Sequence, residues 1–297
     1  MHFQIYLKNM KDCLTMESNE WIKFCEKQIP ELKQLYKKYT GNNLDLNNCN
    51  TLNEKIQWLK IYDSNQLKIK CSDKLLVREY CKEKLQKDLF IPVLGIWKSF
   101  DEIDFSKLPN DYVLKTNHGS HTNIIVKNNN IDKKIAKQKF DDWMSKDWTW
   151  WGKEMAYYPI DRKIFAEKFM QDKINGELTD YKILCFNGEP KFIQVINNRN
   201  TKNFYLNYYD MNFNFVDISQ INPPNNKNIK DVKPHNFDLM KEYAKKLSQD
   251  FNFVRVDFYE INNILYLSEL TFFPASGFYK YKNEKTDLIL GNMLNLI

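Results

Sequence analysis

The sequence predicts an α+β chain, with a mainly helical N-terminal part and a strand-rich remainder. Three observations carry this. Apolar residues recur at helical spacing in three segments between residues 18 and 85. From residue 111 onward, short runs rich in Val, Ile, Phe and Tyr follow one another with Asn-Gly turn signals among them. A last helical stripe then stands before two final strand-like runs.

Taken in order, residues 18–38 read as one helix with Trp21, Ile22, Cys25, Ile29, Leu32 and Leu35 as its apolar stripe. "NEKIQWLKIY" (53–62) reads as a second. A third opens at Asp73, whose carboxylate can accept the free N–H groups of a first turn, and continues through "KLLVREYCKEKL". "FIPVLGIW" (90–97) is strand-like. "YVLKT" and "TNIIVK" make a hairpin around a polar loop, and "IDKKIAKQKFDDWMSKDW" a helix. "RKIFAEKFM", "LTDYKILCF" and "PKFIQVIN" are strands, with turns at Asn175-Gly176 and Asn187-Gly188. After an Asn- and Pro-rich loop (220–234), Phe237, Met240, Tyr243, Leu247 and Phe251 mark a helix, and "FVRVDFYE" and "ILYLSEL" close the chain as strands. The expected lobes are 1–110, 111–168 and 169–297.

With 43% hydrophobic and 15% aromatic residues the chain is no disordered tail. A net charge of +6, from 44 basic and 38 acidic residues, is a mild bias that suits a site for phosphates or for an acidic polymer and is no nucleic-acid signature. Six cysteines without a CxxC pair or zinc spacing point to reduced thiols, and no apolar run approaches the roughly 18 residues of a membrane span. The expected setting is cytoplasmic, with no membrane insertion and no nucleic-acid partner. P-loop, GxGxxG, HExxH, GxSxG and DxD motifs are all missing. His118 and His121, three apart, form at most an incomplete metal pair.

The chemistry-bearing residues fall in five segments. Lys115 ends a strand before a loop of small donors, including Gly119 and Ser120; the loop is a phosphate clamp or an ordinary polar turn. Glu167, Lys168, Phe169 and Met170 end a strand that can offer backbone groups and apolar cover to a planar base, or be plain core. Asp180 and Lys182 share a strand face suited to a ribose hydroxyl and a phosphate, or to solvent. Arg199 is a further anion-binding candidate. In "VRVDFYEINNILYLSELTFFPASG", alternation puts Arg255, Asp257 and Tyr259 on one face and Leu267, Glu269 and Thr271 together on the next strand. Asp257 and Glu269 then oppose each other only across an odd-numbered loop, because a two-residue Asn-Asn turn sends them to opposite faces. The pair suits Mg²⁺, or is two surface acids.

In chain order, Lys115 with its loop, "AEKFM", "DYKILCFNGEP", "RVDF" and "ELTFFPASG" resemble the ATP-grasp superfamily. Within it they resemble the TupA-like family linked to bacterial surface polysaccharide gene clusters, over about residues 71–280. The resemblance implies an ATP-grasp fold of two α+β lobes clasping the nucleotide, with ATP and Mg²⁺ as cofactors. It makes Lys115 the lysine on the phosphates and Gly119–Ser120 part of the mobile loop over them. Glu167, Lys168, Phe169 and Met170 become the adenine hinge and Asp180 the ribose acid. Asp257, Glu269 and Thr271 become the metal ligands and Arg255 the group that stabilises the transferring phosphoryl or acyl phosphate; Arg199 and Lys182 are added to it as catalytic candidates from their own residue chemistry. Two departures stand out: Thr271 replaces a frequent Asn, and the loop has one glycine plus His121 where more glycine is usual. The implied activity is a carboxylate–amine ligase making an amide through an acyl phosphate, on small-molecule or sugar carboxylates and amines. The alternatives are an ATP-grasp kinase, and a glycosyltransferase or non-ligase assembly protein. The acceptor pocket is expected between the N-terminal lobe and "WTWWGKEMAYY" (148–158), whose aromatics suit sugar stacking or core packing equally.

Overall fold

The computed structural model describes residues 18–172, 179–197, 204–283 and 285–296. The helix expected over 18–38 is two, α1 (Ser18–Glu26) and α2 (Ile29–Thr40), divided at Lys27-Gln28 ahead of Pro30, which is tolerated only in a first turn. α3 (Leu52–Tyr62) opens with a capping box between Thr51 and Glu54. α4 (Gln66–Ser72) was not anticipated. Asp73 does accept the N–H groups of Leu75 (2.7 Å) and Leu76 (3.3 Å), but it caps a turn, and the regular helix α5 begins later (Val77–Leu85).

A four-stranded antiparallel sheet follows, in the order β1 (Val93–Trp97), β4 (Ile164–Lys168), β2 (Tyr112–Thr116), β3 (Asn123–Val126). It thus reaches back to Val93, ahead of the lobe start expected at 111. Tyr112, Leu114, Val126, Ile164 and Ala166 turn inward against Phe140 of α6 (Lys133–Ser145). Alternation therefore leaves Val113, Lys115, Phe165 and Glu167 on the opposite face. α7 (Trp148–Gly152) and a 3₁₀ turn (Met155–Tyr157) lead from α6 to β4.

The second sheet has six antiparallel strands, ordered β10 (Ile264–Thr271), β9 (Phe253–Ile261), β5 (Asp180–Phe186), β6 (Glu189–Asn197), β7 (Tyr205–Asp210), β8 (Phe215–Val216). Phe237, Met240, Ala244 and Leu247 of α8 (Phe237–Ser248) are buried on one face, where Ile183, Ile193 and Val256 lie side by side. α9 (Lys285–Gly291) packs on α3. The strand β7 went unread because Asn207 and Asp210 interrupt its pattern. In the fold Asn207, Tyr205 and Tyr209 all bond to the buried Asp231, which satisfies the polar side of the strand.

Asn187-Gly188 makes the expected two-residue turn, with φ of 49° and 78°. Asn175-Gly176 lies outside the described residues. The β9–β10 connection is also a two-residue turn, Asn262-Asn263, both in the left-handed region (52° and 62°). Such a turn alone would separate the two acids, yet Asp257 pairs with Glu269, because Ser268 forms a bulge between Leu267 and Glu269. The extra residue supplies the odd count, and it corrects the expected shared face: Leu267 pairs with Phe258 on the apolar side, whereas Glu269 joins Asp257 on the other. Among the described residues no helix is long and apolar enough to cross a membrane.

Candidate active site

The polar face of the large sheet carries one ladder across five strands: Glu269, Asp257, Lys182, Gln194 and Tyr208 are successive register partners. Asp257 is fully buried, and its carboxylate takes Arg255 Nε and Nη2 at 2.7 Å each and the ammonium of Lys182. A bidentate pair of this kind fixes both planes. Arg255 Nη2 also donates to Thr271 Oγ1 (3.0 Å) and stands 3.7 Å from Glu269, which accepts from the Thr271 hydroxyl (3.3 Å). Burial works against the charge of Glu269, but Lys74, Lys182 and Arg255 outweigh it and hold its pKa down to about 2. Burial likewise opposes the Arg255 cation, and Asp257 outweighs it, so the guanidinium holds its proton more firmly than usual. The Glu269 carboxylate is therefore ionised at neutral pH.

On the small sheet, Lys115 pairs with Glu167 (2.5 Å). Arg78 donates to the other oxygen of Glu167 (2.6 Å) and to Ile91 O (3.0 Å), with its guanidinium over the Phe90 ring. The carboxylate of Glu167 is thus occupied by two cations, leaving only its backbone for a planar base. The N–H of Lys168 is taken by Pro92 O (3.1 Å), and Phe169 lies under the Lys127 ammonium. Met170 is half-buried. Asp180 is buried on the same face as Lys182, opposite Tyr259.

The loop between β2 and β3 is anchored at its base. Thr116 and Thr122 join through their hydroxyls (2.6 Å), and the Asn117 amide bonds Asp73 (2.8 Å) and Asp161 O (2.9 Å). Gly119 is needed there, since a Cβ would fall 2.6 Å from Thr122 Oγ1. Only Ser120 and His121 at the tip are exposed. The two histidines do not form a pair: His118 is buried with Nε2 3.2 Å from Trp143 O, while His121 is exposed.

Lys74, which belongs to none of the five chemistry-bearing segments, connects the halves. Its ammonium donates to Gly119 O (2.7 Å), lies 4.0 Å from Glu269, and is within electrostatic reach of Lys115 and Glu167. Burial pushes its pKa down, with Glu269 opposing. The signal available was Lys74 and Arg78 four apart beside Asp73, the spacing of one helical turn. Arg199 lies outside the described residues. Of the other predicted residues, Asp180, Lys182, Arg255, Asp257, Glu269 and Thr271 stand on one sheet and Lys115, Glu167 and Lys168 on the other, with Gly119, Ser120, Phe169 and Met170 in the segments that adjoin it, and Lys74 bridges the two sheets.

Two α+β units whose sheets meet over lysines, an arginine and paired acids are the architecture of the ATP-grasp superfamily. The chain belongs to the TupA-like ATP-grasp family, whose profile matches residues 54–295. Among solved structures it is similar to D-alanine–D-alanine ligase from Helicobacter pylori, at 17% identity over 82% of this chain and 67% of that one (TM-score 0.45). It is also similar to L-amino acid ligase from Bacillus licheniformis, at 11% over 89% and 57% (0.47). A third is N5-carboxyaminoimidazole synthetase from Staphylococcus aureus, at 15% over 76% and 52% (0.42). The chain thus spans from about half to two thirds of these structures. No curated protein matches it.

Proposed function

We propose that the protein is an ATP-dependent ligase that joins a carboxylate to an amine through an acyl phosphate. It would work in the cytoplasm and form an amide in a capsular or other cell-surface polysaccharide. The polysaccharide setting rests on family resemblance. The chemistry rests on one observation: three cations, Lys74, Lys182 and Arg255, gather around Asp257 and Glu269, and Lys74 is within electrostatic reach of a fourth, Lys115, on the small sheet. Phosphoryl transfer demands little of a protein beyond positioning and fixed positive charge, and this cluster offers both.

The donor set fits Mg²⁺. Asp257, Glu269 and Thr271 present hard oxygens, and among the described residues no group of three His, Cys, Asp or Glu side chains converges. Two carboxylates, Asp257 and Glu269, are the usual protein share for an ion completed by substrate phosphates. The ion would supply neutralisation of phosphate charge. Lys74 and the Gly119 loop would hold the phosphates from one side and Lys115 from the small sheet. Lys182, released from Asp257, would follow the transferring group, and Arg255 would stay fixed by its bidentate bond to steady the charged carbonyl and phosphoryl oxygens. Asp180 would take the ribose, and Glu167 to Met170 the base.

The test is release of ADP and phosphate with a panel of uronic and amino acids, with and without hydroxylamine. A hydroxamate is expected. A stable phosphorylated product without free phosphate would replace the ligase reading with a kinase, and a nucleoside diphosphate released only from a sugar donor would replace it with a glycosyltransferase.

A further inference from the structure

A second charged cluster lies between the N-terminal helices and the end of β10. Lys60 on α3 is fully buried. Its ammonium donates to Gln57 Oε1 (2.7 Å), to the carbonyls of Gly152 (2.6 Å) and Ser276 (2.8 Å), and to Ser276 Oγ (2.9 Å). It staples the end of α7 to the turn Pro274–Gly277, which follows Glu269 and Thr271 directly. The approach is tight: a Cβ on Gly152 would fall 2.0 Å from Ser276 Oγ. The turn runs through three successive left-handed residues, Ala275, Ser276 and Gly277 (φ 48°, 52° and 63°), a conformation two of them adopt only under outside restraint.

Glu154, two residues beyond Gly152, is half-buried and hydrogen-bonds Ser276. Burial raises its pKa, against Lys60 and the Ser276 bond, and so makes it a better proton acceptor than a solvated carboxylate. Tyr157, one 3₁₀ turn on, is within electrostatic reach of Glu154 and also of Glu269, Arg255 and Asp257, and Ser276, the partner of Glu154, lies on the turn by which the chain leaves Thr271.

A ligase of this kind must hold an anion and a cation side by side. The oxygens of Asp257 belong to Arg255 and Lys182, Glu269 answers to Lys74 and Arg255, and Glu167 to Lys115 and Arg78. Lys60 acts on Glu154 through its charge, but its ammonium donates to neutral acceptors. We propose that Glu154 receives the amine substrate, a primary amine arriving as ammonium, while Arg255 holds the carboxyl partner beyond Tyr157. The inference rests on the ligase reading. One ammonium proton passes to Glu154, and the freed lone pair forms the C–N bond. The C–O bond to phosphate breaks, and phosphate leaves with that electron pair. A second nitrogen proton goes to the departing phosphate and the third stays on the amide.

The experiment compares wild type with Glu154→Gln, using a carboxylate that wild type converts to a hydroxamate. Hydroxylamine, uncharged at neutral pH, needs neither counter-ion nor base; glucosamine, ethanolamine and lysine need both. The variant is expected to form hydroxamate within about threefold of wild type. Its KM for the best amine should rise about tenfold or more, the worth of one charged hydrogen bond. Equal losses with both nucleophiles would reduce Glu154 to a structural partner of Lys60, and an unchanged amine KM would remove it from the site. If wild type traps no hydroxamate, the ligase reading itself has failed. Titration of the same amines on tryptophan fluorescence with ADP present then decides. Binding weakened about tenfold in the variant keeps the assignment. Equal binding, or none by wild type, overturns it.

Discussion

The hairpin Tyr112–Val126 and the hairpin Phe253–Thr271 both bring charge to the cleft, and they do it differently. In the first, the chemistry sits at the end of a strand and in a loop. Lys115 has one acid, Glu167, and Ser120 and His121 stand free at the loop tip. In the second, the chemistry sits mid-strand, away from the turn. Asp257 has two cations, Arg255 has three oxygen-bearing neighbours, and Glu269 lies among three positive side chains. The first arrangement can adjust to a ligand at the tip while its base stays anchored through Asn117 and the Thr116–Thr122 pair. The second is organised in advance, as a site must be if it is to stabilise charge without rearranging.

The sharpest way to break this contrast is to neutralise the organised side. Glu269→Gln is expected to lower ATP turnover by about a thousandfold, as loss of a preorganised electrostatic group does, with a smaller drop in melting temperature than Asp257→Asn because Glu269 is partly exposed. Asp257→Asn should be as inactive and also less stable by about 3–5 kcal/mol, because Arg255 and Lys182 are left without their buried acid. Turnover measured beside thermal melting checks both. Asp257→Asn with unchanged stability would mean the bidentate network contributes little to holding the sheet.

The contrast also explains what could be read in advance. Lys115, Asp257, Glu269 and Arg255 were legible because strand alternation is local, and a motif order survives weak individual motifs. The facing of the acids was not legible, since it depends on Ser268, and a bulge leaves no mark in a single strand's pattern. The Glu167 partners were hidden for another reason: Arg78 comes from a helix 89 residues earlier, and only the fold makes that contact. Lys74 was missed because it sits in a turn between helices, where charged residues are ordinary. The split of residues 18–38 was readable from Pro30 and was overridden by an apolar stripe that continues across the break.

A smaller effect tests the adjustable side. Lys115→Ala should weaken nucleotide binding about ten- to a hundredfold, the range for a charged hydrogen-bonding partner. His121→Ala should change it by less than about threefold, since an exposed imidazole at a loop tip has little desolvated contact to lose. Nucleotide titration by calorimetry measures both. Equal losses would show that the loop tip, and not the strand-end lysine, is the clamp, and would reverse the comparison of the two hairpins.

The smallest effect concerns the anchored base of the same loop and is read in stability. His118 is buried; its Nε2 donates to Trp143 O, and its Nδ1 has no hydrogen-bond partner. A proton added to Nδ1 would find no acceptor. Burial, with Arg162 and Lys74 nearby and only the Trp143 carbonyl opposing, lowers the pKa to about 3. The unfolded chain, with an ordinary imidazole near 6.5, therefore binds a proton over a range where the fold does not. The sign follows: stability is undiminished above about pH 6.5 and falls by about 1.4 kcal/mol per pH unit below it, until the folded value near 3 is reached. His118→Asn should start less stable at pH 7 through altered packing, yet lose less on acidification. The two melting temperatures should converge by a few degrees between pH 7 and 5. Parallel curves would mean that the loop opens to water at its base as well as its tip, and the distinction between an anchored base and a free tip would go with it.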